Sequence, residues 1–354
     1  MASKTSAVVH KTCASQPRFT ADVVGRFLKK TVFSPSLTLP LLLIAQYTDK
    51  RPGYESWRSG AIRTLEVLVS VGLLRWLNGW YSRRTLNNGV SDKYNWNAEI
   101  AIVTGGSDGI GQRTVLLLAA RGLKIAVLDI KPLQFEAPAN VKFYPCDICS
   151  REQIAKAAQA IRAELGEPTI LVNNAGVLKG KSILDGTDAE TRQTFEVNTL
   201  SHYWLAREFL PHMISQNHGM VVTIASLAAY VTSSNMVDYS ASKVAALAFH
   251  EGLATELNTR YNARKVRTVL VTQGFTRTHL VDVISPENTW INPLLEPESV
   301  AEAAVEQILT GSSGHVIIPG SAGLLAPSIR SLPHWFQNGV RDQLERLMRP
   351  PSGN

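Results

Sequence analysis

From Glu99 onward the chain alternates short apolar runs with longer amphipathic stretches. The runs are Ile100–Val103, Lys124–Leu128, Val141–Tyr144, Ile170–Val172, Met220–Ile224, Val266–Val271 and Val316–Ile318. They are rich in β-branched residues and lack polar alternation, which predicts strands covered on both faces. Between them, Ile110–Arg121, Arg151–Leu165, Ala189–Gln216, Tyr239–Arg260 and Pro297–Leu309 are predicted as helices. Ser150 followed by Gln153 has the pattern of a capping box for the second of these. Strand–helix alternation of this kind predicts an α/β fold with a parallel sheet.

The N-terminal pattern is different. Thr31–Thr48 contains no charged residue, but its 18 residues barely reach spanning length, and Pro35 and Pro40 are expected to interrupt helical hydrogen bonding. A second run, Val67–Leu74, is bounded by Arg63, Glu66 and Arg75 and followed by Trp76, Trp80, Tyr81, Arg83 and Arg84. Short apolar runs edged by aromatics and arginines suit a segment lying in a membrane interface or forming a shallow hairpin. Packing against the globular domain or a second subunit is the alternative. Charge sharpens the division. Residues 1–96 hold 14 Lys and Arg against 5 Asp and Glu, a net of +9, so the remainder of this +7 chain is slightly acidic. A basic, apolar extension is expected to be drawn to an anionic membrane surface. Nucleic acid is not an expected partner, because the basic residues are interleaved with apolar runs. Residues 1–30, with Lys4, Lys11, Arg18, Arg26, Lys29 and Lys30 against Asp22, also have the composition of a mitochondrial presequence. The expected organisation is an extension over 1–96, an α/β domain over 97–320 and a tail over 321–354.

With 354 residues, 45% of them hydrophobic, the chain can bury a large core. Its three cysteines, Cys13, Cys146 and Cys149, argue against a disulfide framework and for a reducing compartment. Cys146 and Cys149 have CxxC spacing, but no second pair completes a zinc site, so no metal is expected and both are read as strand-end residues.

The chemistry gathers at strand ends. The first strand runs into Thr104-Gly105-Gly106-Ser107-Asp108-Gly109-Ile110-Gly111 and then a helix. Glycines there permit a tight turn and close approach of backbone N–H groups to a pyrophosphate at the helix N-terminus. The spacing GxxxGxG differs from the standard GxGxxG, so the strand before it and the helix after it carry the reading. Asp129 ends the second strand, where a carboxylate can accept hydrogen bonds from an adenosine ribose. That favours NAD over NADP, although Lys131 is near. Asp147, after the third strand, either meets the adenine or starts a turn. Asn173-Asn174-Ala175-Gly176 ends the fourth strand and Ser226 the fifth. Tyr239 and Lys243 stand four apart on a predicted helix, hence on one face. A cation beside a phenol favours the phenolate and makes the pair a candidate acid/base for alcohol–carbonyl conversion.

Taken in this order, Thr104–Gly111, Asn173–Gly176, Ser226 and Tyr239–Lys243 resemble a classical short-chain dehydrogenase/reductase over roughly 97–320. The resemblance implies a Rossmann doubly wound sheet of strand order 3-2-1-4-5-6-7. It also implies a tetrad, with Tyr239 as acid/base, Lys243 on the nicotinamide ribose and lowering the tyrosine pKa, Ser226 on the substrate oxygen and Asn198 holding a relay water. Gly105, Ser107, Asp108, Gly109, Ile110, Gly111, Asp129, Asp147, Asn174, Ala175, Gly176, Gly274 and Thr278 would join Tyr239 and Lys243 in holding NAD. Asn217-His218-Gly219, Phe249-His250 and Leu295-Glu296-Pro297-Glu298 are similar to the membrane- and lipid-droplet-associated branch that contains 17β-hydroxysteroid dehydrogenase type 11 and retinol dehydrogenases. That branch implies a catalytic domain facing the cytosol from the endoplasmic reticulum membrane or a lipid droplet, and a homodimer is a further expectation. After the sixth strand the family has Pro-Gly, and this chain has Gln273-Gly274.

Thr278–Leu295, with Leu280, Val281, Val283, Ile284, Trp290, Ile291, Leu294 and Leu295, is expected either to wall a greasy pocket for a retinoid, steroid or fatty alcohol or simply to anchor the loop. The tail from Gly323 to Met348 is expected at a membrane or a neighbouring subunit. The leading expectation is a membrane-bound NAD-dependent alcohol dehydrogenase. A soluble ketoacyl-type reductase and a non-catalytic dinucleotide-binding lipid-surface protein are the alternatives; retention of all four tetrad residues favours an enzyme.

Overall fold

The computed structural model describes residues 21–47, 55–282 and 293–346. The chain divides into two compact units, one over Phe19–Gly89 and one that takes in everything from Val90.

The smaller unit is helical: α1 (Ala21–Lys30), α2 (Pro35–Tyr47) and α3 (Glu55–Leu86). Both prolines sit within α2 rather than interrupting the segment. Pro35 is its first residue, where no N–H is needed, and Pro40 is carried inside it. Val67–Leu74 is the middle of the 32-residue α3, not a separate short element. α2 packs against α3. Gly72 makes room for this, since a Cβ there would lie 3.1 Å from the Phe33 carbonyl and from Pro35. Much of the apolar surface stays outside: Leu41, Ile44, Leu74, Trp76 and Tyr81 are all more than half exposed. Among the described residues, no helix is long and apolar enough to cross a membrane.

The larger unit is a seven-stranded sheet of order β3-β2-β1-β4-β5-β6-β7. Its strands are β1 (Ile100–Thr104), β2 (Lys124–Asp129), β3 (Val141–Pro145), β4 (Ile170–Asn173), β5 (Met220–Ile224), β6 (Arg267–Gln273) and β7 (Gly314–Ile318), every neighbouring pair parallel. The helices are α4 (Gly109–Ala119), α5 (Arg151–Glu164), α6 (Asp188–Phe195), α7 (Ser201–Gln216), α8 (Val237–Thr259), α9 (Pro297–Leu309) and α10 (His334–Arg346). Successive residues of β1 face opposite sides. Ile102 joins Leu171, Val221, Leu205, Phe209 and Leu253 in a core under α7 and α8. Ala101 and Val103 join Val127, Val172, Val115, Leu118, Val300 and Ile308 in a second core under α4 and α9. Both faces are thus buried, as unbroken apolar strands require. The strand order reverses direction between β1 and β4, and this switch point is where a doubly wound sheet opens a crevice at its C-terminal edge.

Three local outcomes differ from expectation. Ala189–Gln216 is not one helix: a π-helical turn, Glu196–Leu200, separates α6 from α7. Ser150 forms half a capping box, accepting from the Gln153 N–H at 3.2 Å while the Gln153 amide oxygen takes the Asp147 N–H instead. A complete box appears at Thr187 and Glu190. Finally, residues 90–99 belong with the sheet unit. Asp92 and Glu99 flank His218 at 2.7 and 3.2 Å, and the Tyr94 hydroxyl donates to the Gly219 carbonyl at 2.7 Å. The last described segment folds onto the same unit, where the Arg330 guanidinium donates to the Ala229 carbonyl at 2.9 Å.

Candidate functional site

The turn after β1 is shaped by its glycines. Gly105 has φ +63, and a Cβ on it would lie 2.8 Å from the Ala175 Cα. On Gly111 a Cβ would collide with the Gly105 carbonyl. Backbone is thereby packed against backbone under the N-terminus of α4, leaving its mouth open. Asp108 caps that helix, its carboxylate accepting from the Gly109 N–H at 2.6 Å. Asn174 ties the switch point together: its amide donates to the carbonyls of Thr104 and Gly105 at 2.9 and 3.0 Å, and its own N–H donates to the Thr104 hydroxyl.

A cleft of about 570 Å³ opens above these strand ends. It is lined by Gly105, Asp108, Gly109, Ile110, Gly111, Asp129, Asp147, Asn174, Ala175, Gly176, Tyr239, Lys243 and Thr278, which the structure brings together from six separate stretches. The Asp129 carboxylate is oriented by the N–H groups of Ser107 and Lys131, both at 3.0 Å, and each oxygen keeps a further lone pair for a ribose hydroxyl. Asp147 starts a turn, accepting from the Cys149 N–H at 2.9 Å, and also lines the cleft. Two expected cofactor residues lie elsewhere. Ser107 is buried behind the loop with its hydroxyl on the Lys131 carbonyl at 2.8 Å, so it supports the turn instead of facing the cleft. Gly274 lines the neighbouring apolar cavity, its N–H held by the Ile318 carbonyl at 2.7 Å. The open helix mouth, the steric need for glycine and the anchored carboxylate fit a dinucleotide.

Tyr239 and Lys243 occupy the first turns of α8, and the π-helical turn holds that helix end. The Asn198 amide donates to the Ser242 hydroxyl at 3.0 Å, and Ser242 donates to the Tyr239 carbonyl at 2.7 Å. Asn198 also bonds both the N–H and the carbonyl of Val177, at 2.8 and 2.9 Å. Its side chain is fully committed to positioning, and it is entirely buried. The Ser226 hydroxyl reaches the Gln273 carbonyl at 3.4 Å and accepts from the Ala228 N–H at 3.1 Å, near enough to Tyr239 to favour its phenolate. The Lys243 ammonium donates to the Ile224 carbonyl at 2.9 Å and sits 5.7 Å from the centre of the Tyr239 ring.

This geometry corrects the expected electrostatics. Burial pushes the Tyr239 phenol up to about 12, only partly offset by the nearby Ser226 hydroxyl, and Lys243 is not among the groups that lower it. Burial likewise brings Lys243 down to about 8. In this state the pair holds a protonated phenol beside an ammonium that gives up its charge readily. The neighbouring thiols are quiet. Burial, reinforced by the Asp147 charge, raises Cys146 to about 11 and Cys149 to about 12.

A second cavity, of about 200 Å³, meets the cleft at Tyr239, Gln273, Thr278 and Leu280. Its walls are Leu178, Leu227, Val231, Met236, Phe275, Val281, Ala326 and Leu344. Leu280 and Val281 line it as the sequence suggests, whereas Leu295 is an anchor, fully buried and paired by its backbone to Phe275 and Arg277. Val283, Ile284, Trp290 and Ile291 lie outside the described residues. Ala326 and Leu344 come from the tail, and His279 lines the cleft 3.5 Å from Asp108. None of these three carries a local signal: only the fold brings them to the site.

Comparison with known proteins agrees with this geometry. The family model described as short chain dehydrogenase matches residues 99–289. Dehydrogenase RED2 of Cochliobolus heterostrophus is 45% identical over 207 residues, covering 58% of this chain and 78% of the relative. Human estradiol 17-beta-dehydrogenase 11 is 35% identical over 246 residues, covering 67% and 80%. Among solved structures, the ligand-free aldohexose dehydrogenase of Thermoplasma acidophilum superposes with a TM-score of 0.57 at 24% identity, over 65% of this chain and 95% of that one, a likeness of fold alone. Sheet order, glycine turn and sequence likeness converge, and the chain belongs to the short-chain dehydrogenase family, as a nicotinamide-dinucleotide-dependent oxidoreductase acting on CH–OH donors.

Proposed function

We propose that the protein interconverts a lipophilic alcohol and its carbonyl compound, using NAD(H), at a lipid surface. The observation that carries this reading is the junction of the two hollows: Tyr239 lines both the polar cleft and the apolar cavity. The dinucleotide, when bound, supplies the hydride acceptor or donor. Asp129 and the mouth of α4 would hold its adenosine and pyrophosphate, and Lys243 its nicotinamide ribose. Ser226 hydrogen bonds the substrate oxygen. In reduction, the Tyr239 phenol gives its proton to that oxygen as the carbonyl carbon receives hydride. In oxidation, the phenolate takes the hydroxyl proton as the carbinol carbon loses hydride. A phenol held at about 12 is already in the form that reduction needs. Asn198 acts through Ser242 and Val177, fixing the helix end that carries Tyr239, with its relay water left to the family resemblance.

The apolar walls of the cavity support a retinoid, steroid or fatty alcohol over a sugar or short ketone. The exposed leucines and tryptophans of the N-terminal unit, in the most basic part of the chain, support attachment to the endoplasmic reticulum membrane or a lipid droplet. A groove between α7 and α8, edged by the exposed Tyr203 and Tyr261, suits a homodimer contact. The test is a panel of lipophilic alcohols and ketones with each dinucleotide, followed by the near-ultraviolet absorbance of the reduced form. Turnover of a retinoid, steroid or fatty alcohol with NAD is expected. Turnover confined to soluble ketoacyl thioesters, or dinucleotide binding without any turnover, would defeat the proposal.

A further inference from the structure

The mouth of α4 carries a charge that works against its ligand. Gly109, Ile110 and Gly111 line the cleft at the first turn of the helix, where the backbone dipoles attract an anion. Asp108 caps the same turn. One of its oxygens takes the Gly109 N–H at 2.6 Å, and its side chain is half exposed toward whatever enters. A carboxylate left uncompensated there repels a phosphate oxygen.

The compensating charge comes from a distant stretch. His279 follows Thr278, on the short turn that leads from β6 into the wall of the apolar cavity. Its Nε2 stands 3.5 Å from the second Asp108 oxygen, and its Nδ1 3.0 Å from the Asp282 carboxylate. Two carboxylates on the two ring nitrogens call for two N–H donors, and only the imidazolium has both. The bond to Asp282 and the charge of Asp108 accordingly hold the His279 pKa above its ordinary value, with burial and the Lys131 charge opposing. Among the described residues, four carboxylates line the cleft, Asp108, Asp129, Asp147 and Glu196, against Lys131, Lys179, Lys243 and His279. Lys179 is bonded to Gln193 and Lys243 to the Ile224 carbonyl, and of these cations His279 is the one within ion-pair distance of Asp108.

We infer that His279 is a dinucleotide-binding residue: as an imidazolium it neutralises Asp108 at the mouth of α4 and lets the pyrophosphate approach, so that the grip loosens when the histidine loses its proton. The inference rests on the reading that the α4 mouth takes the pyrophosphate. An anionic ligand favours the protonated ring. Affinity is therefore complete while His279 is charged and falls as pH rises through its titration, above the ordinary value of about 6.5. Lys243, at about 8, adds a decline of its own that is common to every His279 variant.

The experiment titrates the full chain in detergent with NADH, followed by fluorescence, at low salt between about pH 6 and 9. His279→Asn is expected to raise Kd about two- to fivefold at the acid end, the scale of one exposed charge pair, and to match the wild type at the alkaline end. His279→Lys keeps the charge and is expected to bind more tightly than the wild type at the alkaline end. Asp108→Asn, which can still cap the helix, is expected to shrink the effect of His279→Asn when the two are combined. His279 is 83% exposed, so these replacements leave the packing alone. Equal Kd values for wild type and His279→Asn across the range would overturn the inference and leave the dinucleotide site standing. The same fold change in both Asp108 backgrounds would separate the histidine from the carboxylate and overturn it too. If the wild type binds neither NADH nor NADPH, the reading of the α4 mouth falls and this inference falls with it.

Discussion

Burial, rather than the neighbouring ammonium, sets the resting charge of Tyr239. A phenol with no room for water is expensive to ionise, and Lys243 is itself deep enough to lose charge easily. Tyr239→Phe keeps the ring and removes the proton. Turnover is expected to fall by about 10²–10⁴ while dinucleotide affinity, measured by fluorescence titration, stays within a few-fold. A variant with near-normal kcat would remove Tyr239 from its role. Asp129 is the residue proposed to do the same for the cofactor. Its carboxylate is anchored by two N–H groups, so it cannot swing away from an incoming 2′-phosphate. The wild type is expected to have a lower KM for NAD than for NADP, and Asp129→Ala to narrow that gap with Lys131 close by. A wild-type KM lower for NADP would refute the assignment. Tyr239, Lys243, Asp129 and the glycines are legible in the sequence because each acts through a fixed spacing from a strand end. Ser233 and Leu344 are not, because their place in the cavity depends on how distant segments pack.

At the scale of elements, the strands are legible because a strand buried on both faces has one unmistakable pattern, and their expected boundaries shift by only a residue or two. The π-helical turn is not. No glycine or proline marks Glu196–Leu200, and Pro211, which a sequence reader would choose as a break, lies inside α7. The turn exists because Asn198 satisfies both backbone groups of Val177 and reaches Ser242 besides. The contact of residues 90–99 with His218 is equally hidden, since its partners are more than a hundred residues apart. It has a pH signature. Hydrogen bonds to Glu99 and Asp92 raise His218 to about 9 against the opposition of burial. A raised pKa contributes stability that is complete below the unfolded value of about 6.5 and is lost as pH climbs through about 9. Glu99 works in the other direction. Burial opposes its ionisation, but the bonds from His218 and Thr169 win and hold it low, so its contribution is present above the ordinary carboxylate range and lost in acid. The contact is therefore expected to stabilise most between about pH 5 and 6.5, and His218→Asn to flatten the decline from there to about pH 9. Equal slopes in wild type and variant between pH 7 and 10 would show that the contact does not matter.

For the whole molecule, the two units divide the work. The sheet unit holds the chemistry, and the helical unit displays apolar side chains that a water-soluble surface would hide. Detergent is expected to release most of the protein from membranes and high salt little of it. Placing glutamates at the exposed Leu41 and Ile44 is expected to weaken flotation with anionic vesicles, and removing residues 1–89 to abolish it. A cut at 96 would also remove Asp92 and Tyr94, and with them the hold on His218 and Gly219. Full-length protein that stays in the supernatant without detergent would contradict the assignment. The cavity wall has a further consequence. The family match ends at residue 289, yet Ala326 and Leu344 help to wall the cavity proposed to take the substrate. Selection can therefore change what the enzyme accepts by drifting in the last stretch of the chain, without touching a residue that holds the dinucleotide or moves the proton. Two such enzymes with interchangeable catalytic cores could serve different metabolites, and a graft of that stretch alone would carry the preference with it.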